Sequence, residues 1–140
     1  MTISMARSTT ADDGGGDGPL VLLISPDLLS TSRIAGLTRE AGGRMDTLRS
    51  LDEPLPGGPY ALVLLDLQAM NGDAAVLVAR CLDLIESQRA QTGRAASLVA
   101  FGPHVAKQRL EQARAAGADA SVSRGELLGG FPAIFERWCG

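Results

Sequence analysis

The sequence predicts a three-layer α/β fold with a parallel five-stranded sheet, and three observations support this prediction. Residues 61–67 (ALVLLDL) form an apolar run that contains a single carboxylate, Asp66. Leu20–Ile24 is a second run without polar residues. Runs of this kind are typical of strands that are covered on both faces. Helical segments alternate with the apolar runs, as expected when parallel strands are joined by crossover helices.

Composition and charge exclude several classes of protein. The chain has 140 residues, of which 45% are hydrophobic but only 4% aromatic, and this fits one domain with an aliphatic core. The net charge of −3 predicts no binding to nucleic acid or to an anionic membrane. No run approaches the roughly 20 apolar residues of a membrane-spanning helix. Cys81 and Cys139 are far apart, which favours free thiols in the cytoplasm over a disulfide or a metal site.

The start of the chain divides into a tail and the first βα unit. Residues 1–19 are rich in Ser, Thr, Gly and Asp, and we expect a disordered tail before a folded domain of residues 20–140. After the first strand, Ser25 is expected to cap a helix that has Pro26 at its first position. Asp27 would then lie in the first turn of this helix. The face of this helix that packs against the sheet would include Leu29.

The remaining elements follow from apolar runs and from helix stop signals. Pro54, Pro56 and Pro59 exclude a regular second helix in residues 51–59. The other elements are predicted as an edge strand over 44–50, a helix over 74–88, a strand over 97–101, a helix over 104–116, a strand over 118–123 and a last helix from Pro132 to Trp138. By the rule for doubly wound sheets, the strand order is 2-1-3-4-5, which is the flavodoxin-like type.

Asp66 is the first candidate for a functional residue. It lies at the carboxyl end of a buried strand, where open α/β folds place their chemistry. Alternatively, Asp66 starts a turn or caps the next helix. His104, the only histidine, follows the fourth strand on the same edge of the sheet. It would form a metal or acid–base site with Asp66 and Asp27, or else lie on the surface as an ordinary polar residue.

The chain resembles the receiver domain of two-component response regulators. The segments that carry the resemblance are VLLIS at 21–25, ALVLLDL at 61–67, SLVAFGP at 97–103 and AAGAD at 115–119, which leads to Val122, Ser123 and Arg124. The resemblance covers residues 20–138. Receivers accept a phosphoryl group, with the help of Mg²⁺, on the Asp that ends the third strand. The resemblance therefore implies that Asp66 occupies the phosphoacceptor position.

The sequence departs from the family at the other positions of this site. Two adjacent acids that hold Mg²⁺ in receivers are replaced by Ser25 and Pro26, with Asp27 one step further on. A Thr or Ser is replaced by Gly102, and a Lys is replaced by Arg124. Mg²⁺ prefers carboxylate oxygens, so these residues predict a degenerate receiver, or pseudo-receiver, without a cofactor.

Two roles remain open for Asp66. In the first, it is a structural or signalling carboxylate that forms a salt bridge with Arg124. In the second, it accepts a phosphoryl group at an altered Mg²⁺ site, for which Asp27 and Asp66 are weak candidate ligands. Without a divalent cation, a carboxylate that attacks a phosphoryl donor meets a charge of its own sign.

The leading hypothesis is a stand-alone receiver-like signalling module that acts by protein–protein contact and catalyses no reaction. Its partner would be a histidine kinase or another signalling protein, and a homodimer would form through the face of the helix over 104–116 and the last helix. The first alternative is a working response regulator in a phosphorelay, phosphorylated on Asp66. The second is a small-molecule-binding domain with its site over Asp66, Gly102 and Arg124.

Overall fold

The computed structural model describes residues 17–139, and its strands form one parallel sheet. The strands are β1 (Leu20–Ile24), β2 (Arg44–Leu48), β3 (Leu62–Asp66), β4 (Ser97–Gly102) and β5 (Ala120–Ser123). Their order is β2-β1-β3-β4-β5, and every neighbouring pair is parallel. The predicted fold class and the order 2-1-3-4-5 are confirmed. Residues 1–16, which make up most of the predicted tail, lie outside the described residues.

Five helices cover the two faces of the sheet in the described part of the chain. They are α1 (Leu28–Glu40), α2 (Ala74–Thr92), α3 (Lys107–Ala115), α4 (Arg124–Gly129) and α5 (Phe131–Cys139). One core lies between the sheet and α1, α4 and α5, and the other lies between the sheet and α2 and α3. Successive strand residues therefore point into different cores, as Leu22 and Leu23 do. This explains why the central strands β1, β3 and β4 lack polar alternation.

Between β2 and β3, a segment without a helix takes the place of the missing second helix, as the prolines predicted. Tyr60 closes this segment against the core and is 3% exposed. Its hydroxyl donates to Asp46 Oδ2 (2.9 Å) and accepts from the N–H of Gly57 (3.0 Å). The side chain of Gln88 on α2 accepts from the Tyr60 N–H and donates to the Tyr60 carbonyl. These bonds hold the segment in place although it contains no helix of its own.

The start of α1 differs from the prediction. Asp27, not Ser25, is the N-cap, and its side chain accepts from the N–H of Leu29. Ser25 does not cap the helix because its hydroxyl binds another side chain, described below. This places the first turn later than predicted, so that Leu29 is 81% exposed rather than inward-facing, while Ile34 is fully buried.

Other boundaries also differ from the prediction. The structure contains α4, which was not predicted and whose N-cap Ser123 forms a reciprocal capping box with Glu126. Helix α2 continues to Thr92, and α3 begins at Lys107 rather than at 104. Across residues 17–139, none of the helices combines the length and the apolar character that crossing a membrane requires.

Candidate functional site

Asp66 lies at the carboxyl end of β3, and its side chain is engaged on both oxygens. The residue is 1% exposed. The Ser25 hydroxyl donates to Asp66 Oδ2 at 2.8 Å. The backbone N–H groups of Gln68 and Ala69 donate to Oδ1 at 3.0 and 3.1 Å. The carboxylate thus organises the turn that follows β3, in agreement with the structural alternative that the sequence left open.

Ser25 connects Asp66 to the segment between β1 and α1. It follows β1 directly, is fully buried, and its N–H donates to the Leu48 carbonyl of β2 at 2.9 Å. Its hydroxyl oxygen also accepts from the N–H of Asp27 at 3.1 Å. One serine side chain therefore links the ends of β1 and β3, which are adjacent strands.

The carboxylate of Asp27 is used by helix α1 itself. Its Oδ2 accepts from the Ser30 hydroxyl and its Oδ1 from the N–H of Leu29. The hydrogen bond from the Ser30 side chain lowers the pKa of the Asp27 carboxyl. The N–H groups of Leu29 and Ser30 and the positive charge of Arg124 act in the same direction. Asp27 is therefore a helix cap whose oxygens already have partners.

The predicted ion pair between Asp66 and Arg124 is absent from the structure. Among the described residues, salt bridges join Arg80 to Asp52 and Arg89 to Glu86. Arg124 is the first residue of α4 and is partly exposed. The partners of the Asp66 carboxylate are instead the Ser25 hydroxyl and the two loop N–H groups.

Gly102 and His104 lie at the end of β4 and beyond it. Gly102 is buried, and a β-carbon built there would lie 3.6 Å from Leu67 Cβ and 3.7 Å from the Leu110 side chain, which are ordinary contacts. His104 is exposed and lies in the turn before α3, not in the first turn of a helix. Within residues 17–139, no group of three or more His, Cys, Asp or Glu side chains is placed to hold a metal ion.

Sequence reasoning missed one residue of this region, Arg109 on α3. Its guanidinium donates to the carbonyls of Gly72 (2.8 Å) and Leu67 (3.0 Å), with a longer contact to the carbonyl of Met70 (3.5 Å). All three carbonyls belong to the loop that follows Asp66. No motif marks such a contact, because its acceptors are backbone atoms whose directions depend on the folded loop.

The side chains present do not fit a receiver-type Mg²⁺ site. Mg²⁺ requires near-octahedral oxygen ligation, usually with carboxylates and waters. The Asp66 carboxylate is bonded to the Ser25 hydroxyl and the loop, and Asp27 is engaged with its own helix. Pro26, at the second of the two acid positions, offers no side-chain oxygen. The arrangement is therefore suited to holding the edge of the sheet together.

No protein-family model matches the sequence, and no curated protein matches it. Solved structures do match. The receiver domain of Ssk1 from Saccharomyces cerevisiae, solved with the phosphotransfer protein Ypd1, is 15% identical with a TM-score of 0.68; the match covers 87% of this chain and 89% of that one.

Two bacterial structures are also similar to this chain. The receiver domain of the sensor histidine kinase PA1611 from Pseudomonas aeruginosa PAO1, with a magnesium ion in its active site cleft, is 20% identical with a TM-score of 0.63, covering 89% of this chain and 99% of that one. A receiver protein from Burkholderia phymatum is 25% identical with a TM-score of 0.59, covering 84% and 93%. The chain therefore has the fold of response-regulator receiver domains.

Proposed function

We propose that this protein is a receiver-fold signalling module that acts by protein–protein contact and in which Asp66 is a structural carboxylate. The observation that carries this proposal is the closed state of Asp66, whose two oxygens accept from Ser25 and from the loop N–H groups. The module catalyses no reaction and does not undergo Mg²⁺-dependent phosphorylation on Asp66. This is the pseudo-receiver that the replaced acid pair predicts.

Charge explains why the closed carboxylate is a poor nucleophile. To attack a phosphoryl donor, an oxygen of Asp66 must leave its hydrogen bond and approach an anion. At a separation of 4 Å and an effective dielectric constant of about 20, two unit charges repel by about 4 kcal/mol. A repulsion of this size slows a reaction by about a thousandfold. Neither Ser25 nor Pro26 can recruit a divalent cation that would offset it.

A structure of another protein with this fold supports a protein partner. The Ssk1 receiver domain, which shares the fold, was solved bound to a histidine phosphotransfer signalling protein. We infer a signalling protein, such as a histidine kinase, as the partner class here. Contact through the sheet edge or the helices would transmit the signal without a covalent step.

A homodimer through α3 and α5 remains a prediction. Trp138 on α5 is partly buried against the core that contains Phe131 and Phe135, and the Arg137 guanidinium lies 4.9 Å from the centre of its ring. Part of the ring is thus already packed within the domain. Sedimentation velocity at several concentrations decides between monomer and dimer.

Intact mass spectrometry after incubation with acetyl phosphate, with and without Mg²⁺, tests the role of Asp66. We expect no adduct on the folded wild-type protein. The matched controls are Asp66→Asn and Asp73→Asn, since Asp73 is an exposed carboxylate that caps α2 a few residues further along. An adduct that requires Mg²⁺, persists in Asp73→Asn and disappears in Asp66→Asn would refute the proposal and identify a working phosphoacceptor.

A further inference from the structure

The loop of residues 67–73, which joins β3 to α2, is held by two side chains of opposite charge. Asp66 accepts from the N–H groups at the start of the loop. Arg109, from a different helix, donates to its carbonyls at Leu67 and Gly72 and approaches that of Met70. The carboxylate thus holds the donors of the loop and the guanidinium holds its acceptors. Asp66 and Arg109 act on one segment, and no direct hydrogen bond between their side chains is among those of the described residues.

The position of Arg109 within α3 is not explained by helix stability. Arg109 lies in the first turn of α3, which begins at Lys107 and contains no acidic residue there. A cation near a helix N-terminus is disfavoured by the partial positive charge of that end. The hydrogen bonds from Arg109 to the loop carbonyls offset this unfavourable charge interaction, because charge-assisted hydrogen bonds are stronger than neutral ones. The placement therefore points to a role in the loop.

The chemistry of arginine suits this role better than that of lysine. A planar guanidinium has five N–H groups in a fixed fork, and it can serve several carbonyls at once. A lysine ammonium is a compact charge on a flexible stem. Within residues 17–139, no carboxylate forms a salt bridge with Arg109, so its hydrogen bonds with the protein are those to the loop.

The loop also contains a point at which it can bend. Gly72 has a φ angle of +115°, and a β-carbon built on it would meet nothing within 4 Å. Gln68, Asn71 and Asp73 are exposed, whereas Leu67 is 3% exposed. Beyond Leu67, the loop has one large apolar side chain in contact with the core, the partly buried Met70, so opening the loop releases this one apolar contact.

We propose that Arg109 is a latch that keeps the 67–73 loop closed over Asp66 and ties this loop to α3. When the latch is released, the loop opens about Gly72 while the sheet stays folded, because segments with few buried contacts open at a lower free energy than the whole domain. Arg109 is thus a positioning residue that makes the exposure of Asp66 depend on α3. This inference does not depend on whether Asp66 ever accepts a phosphoryl group.

Native-state hydrogen exchange measured by NMR tests the latch. The variant is Arg109→Gln, and the matched control is Arg114→Gln, which removes the same charge from an exposed position of the same helix. We expect the amides of Gln68 and Ala69 to exchange about 10–100 times faster in Arg109→Gln, as the loss of a hydrogen bond from a charged donor implies. We expect unchanged exchange of these two amides in Arg114→Gln and of the β1 and β4 amides in both variants.

Two results would overturn the latch. The first is equal exchange of the Gln68 and Ala69 amides in the two variants. The second is faster exchange throughout β1 and β4 of Arg109→Gln, which would show a general loss of stability. If Arg109→Gln does not fold, Arg109→Lys decides the question: it keeps the charge but not the fork, so it should speed exchange in the loop only, and exchange at the wild-type rate would refute the proposal.

Discussion

Removing the Ser25 hydroxyl would leave an oxygen of a buried carboxylate without its partner. Ser25→Ala deletes the donor at 2.8 Å from Asp66 Oδ2 and adds no bulk to a fully buried site. Hydrogen bonds to charged groups contribute about 1.5–3 kcal/mol to stability. The N–H of Asp27 also loses an acceptor, but this residue is partly exposed and water can replace the hydroxyl. We expect the free energy of unfolding to fall by about 2–3 kcal/mol.

Asp66→Asn separates the charge of this carboxylate from its role in the turn. The amide oxygen of Asn can still accept from the N–H groups of Gln68 and Ala69, so the turn after β3 is retained. The double variant combines Ser25→Ala with Asp66→Asn. Each substitution alone alters the hydrogen bond between the two side chains, so their effects on the free energy of unfolding should not add. We expect an interaction free energy of about 1–2 kcal/mol between the two positions, within the range for residues in contact.

Urea unfolding followed by far-UV circular dichroism and by the fluorescence of Trp138, the only tryptophan, measures all four proteins of this cycle. The slope of the unfolding free energy against urea should be the same for the four proteins. Effects that add to within about 0.5 kcal/mol would contradict the contact between Ser25 and Asp66. A Ser25→Ala protein as stable as the wild type would show that Asp66 has its partners elsewhere.

Two further predictions concern metal and pH. Ser25→Asp together with Pro26→Asp places the acid pair of receivers beside Asp66. This variant should be less stable than the wild type without divalent cations and should gain thermal stability when Mg²⁺ is added. A melting temperature that does not change with Mg²⁺ in either protein would contradict this prediction. Burial raises the pKa of the Cys81 thiol from 9.0 to about 12. The folded state then binds the thiol proton more tightly than the unfolded state, so stability should be constant below pH 9 and fall as the pH rises from 9 to 12. Cys81→Ala should make this fall shallower, and an unchanged slope would refute the assignment.

The central strands β1, β3 and β4 were predictable because their apolar pattern results from burial on both faces. Every residue of β3 is buried, and a run without polar alternation is the direct consequence. Helix α4 was missed although Ser123 and Glu126 have the spacing of a capping box. Glycine is a poor helix former and three glycines lie within residues 125–130, so the packing of the fully buried Leu127 outweighs local preference in this helix.

The site was predictable in position but not in its contacts. The end of an apolar strand placed Asp66 correctly. Ser25 and Asp27 both suit a helix N-cap, and the choice between them is made by Asp66, which is distant in sequence and takes the Ser25 hydroxyl. Arg109 gave no signal because its acceptors are backbone carbonyls. The local sequence pattern therefore placed Asp66 at the end of β3, and long-range hydrogen bonds determined the contacts of its side chain.

The space beside Gly102 makes this position more tolerant of a new side chain than position 25 is. A β-carbon at Gly102 would meet only ordinary contacts, so steric packing does not prevent a residue as small as alanine there. An aspartate at position 25 would face the Asp66 carboxylate at hydrogen-bonding distance, and the two negative charges would repel each other unless a cation offset them. A small side chain at the end of β4 is therefore accommodated independently of the rest of the site, whereas a second carboxylate at the end of β1 is less costly together with a cation.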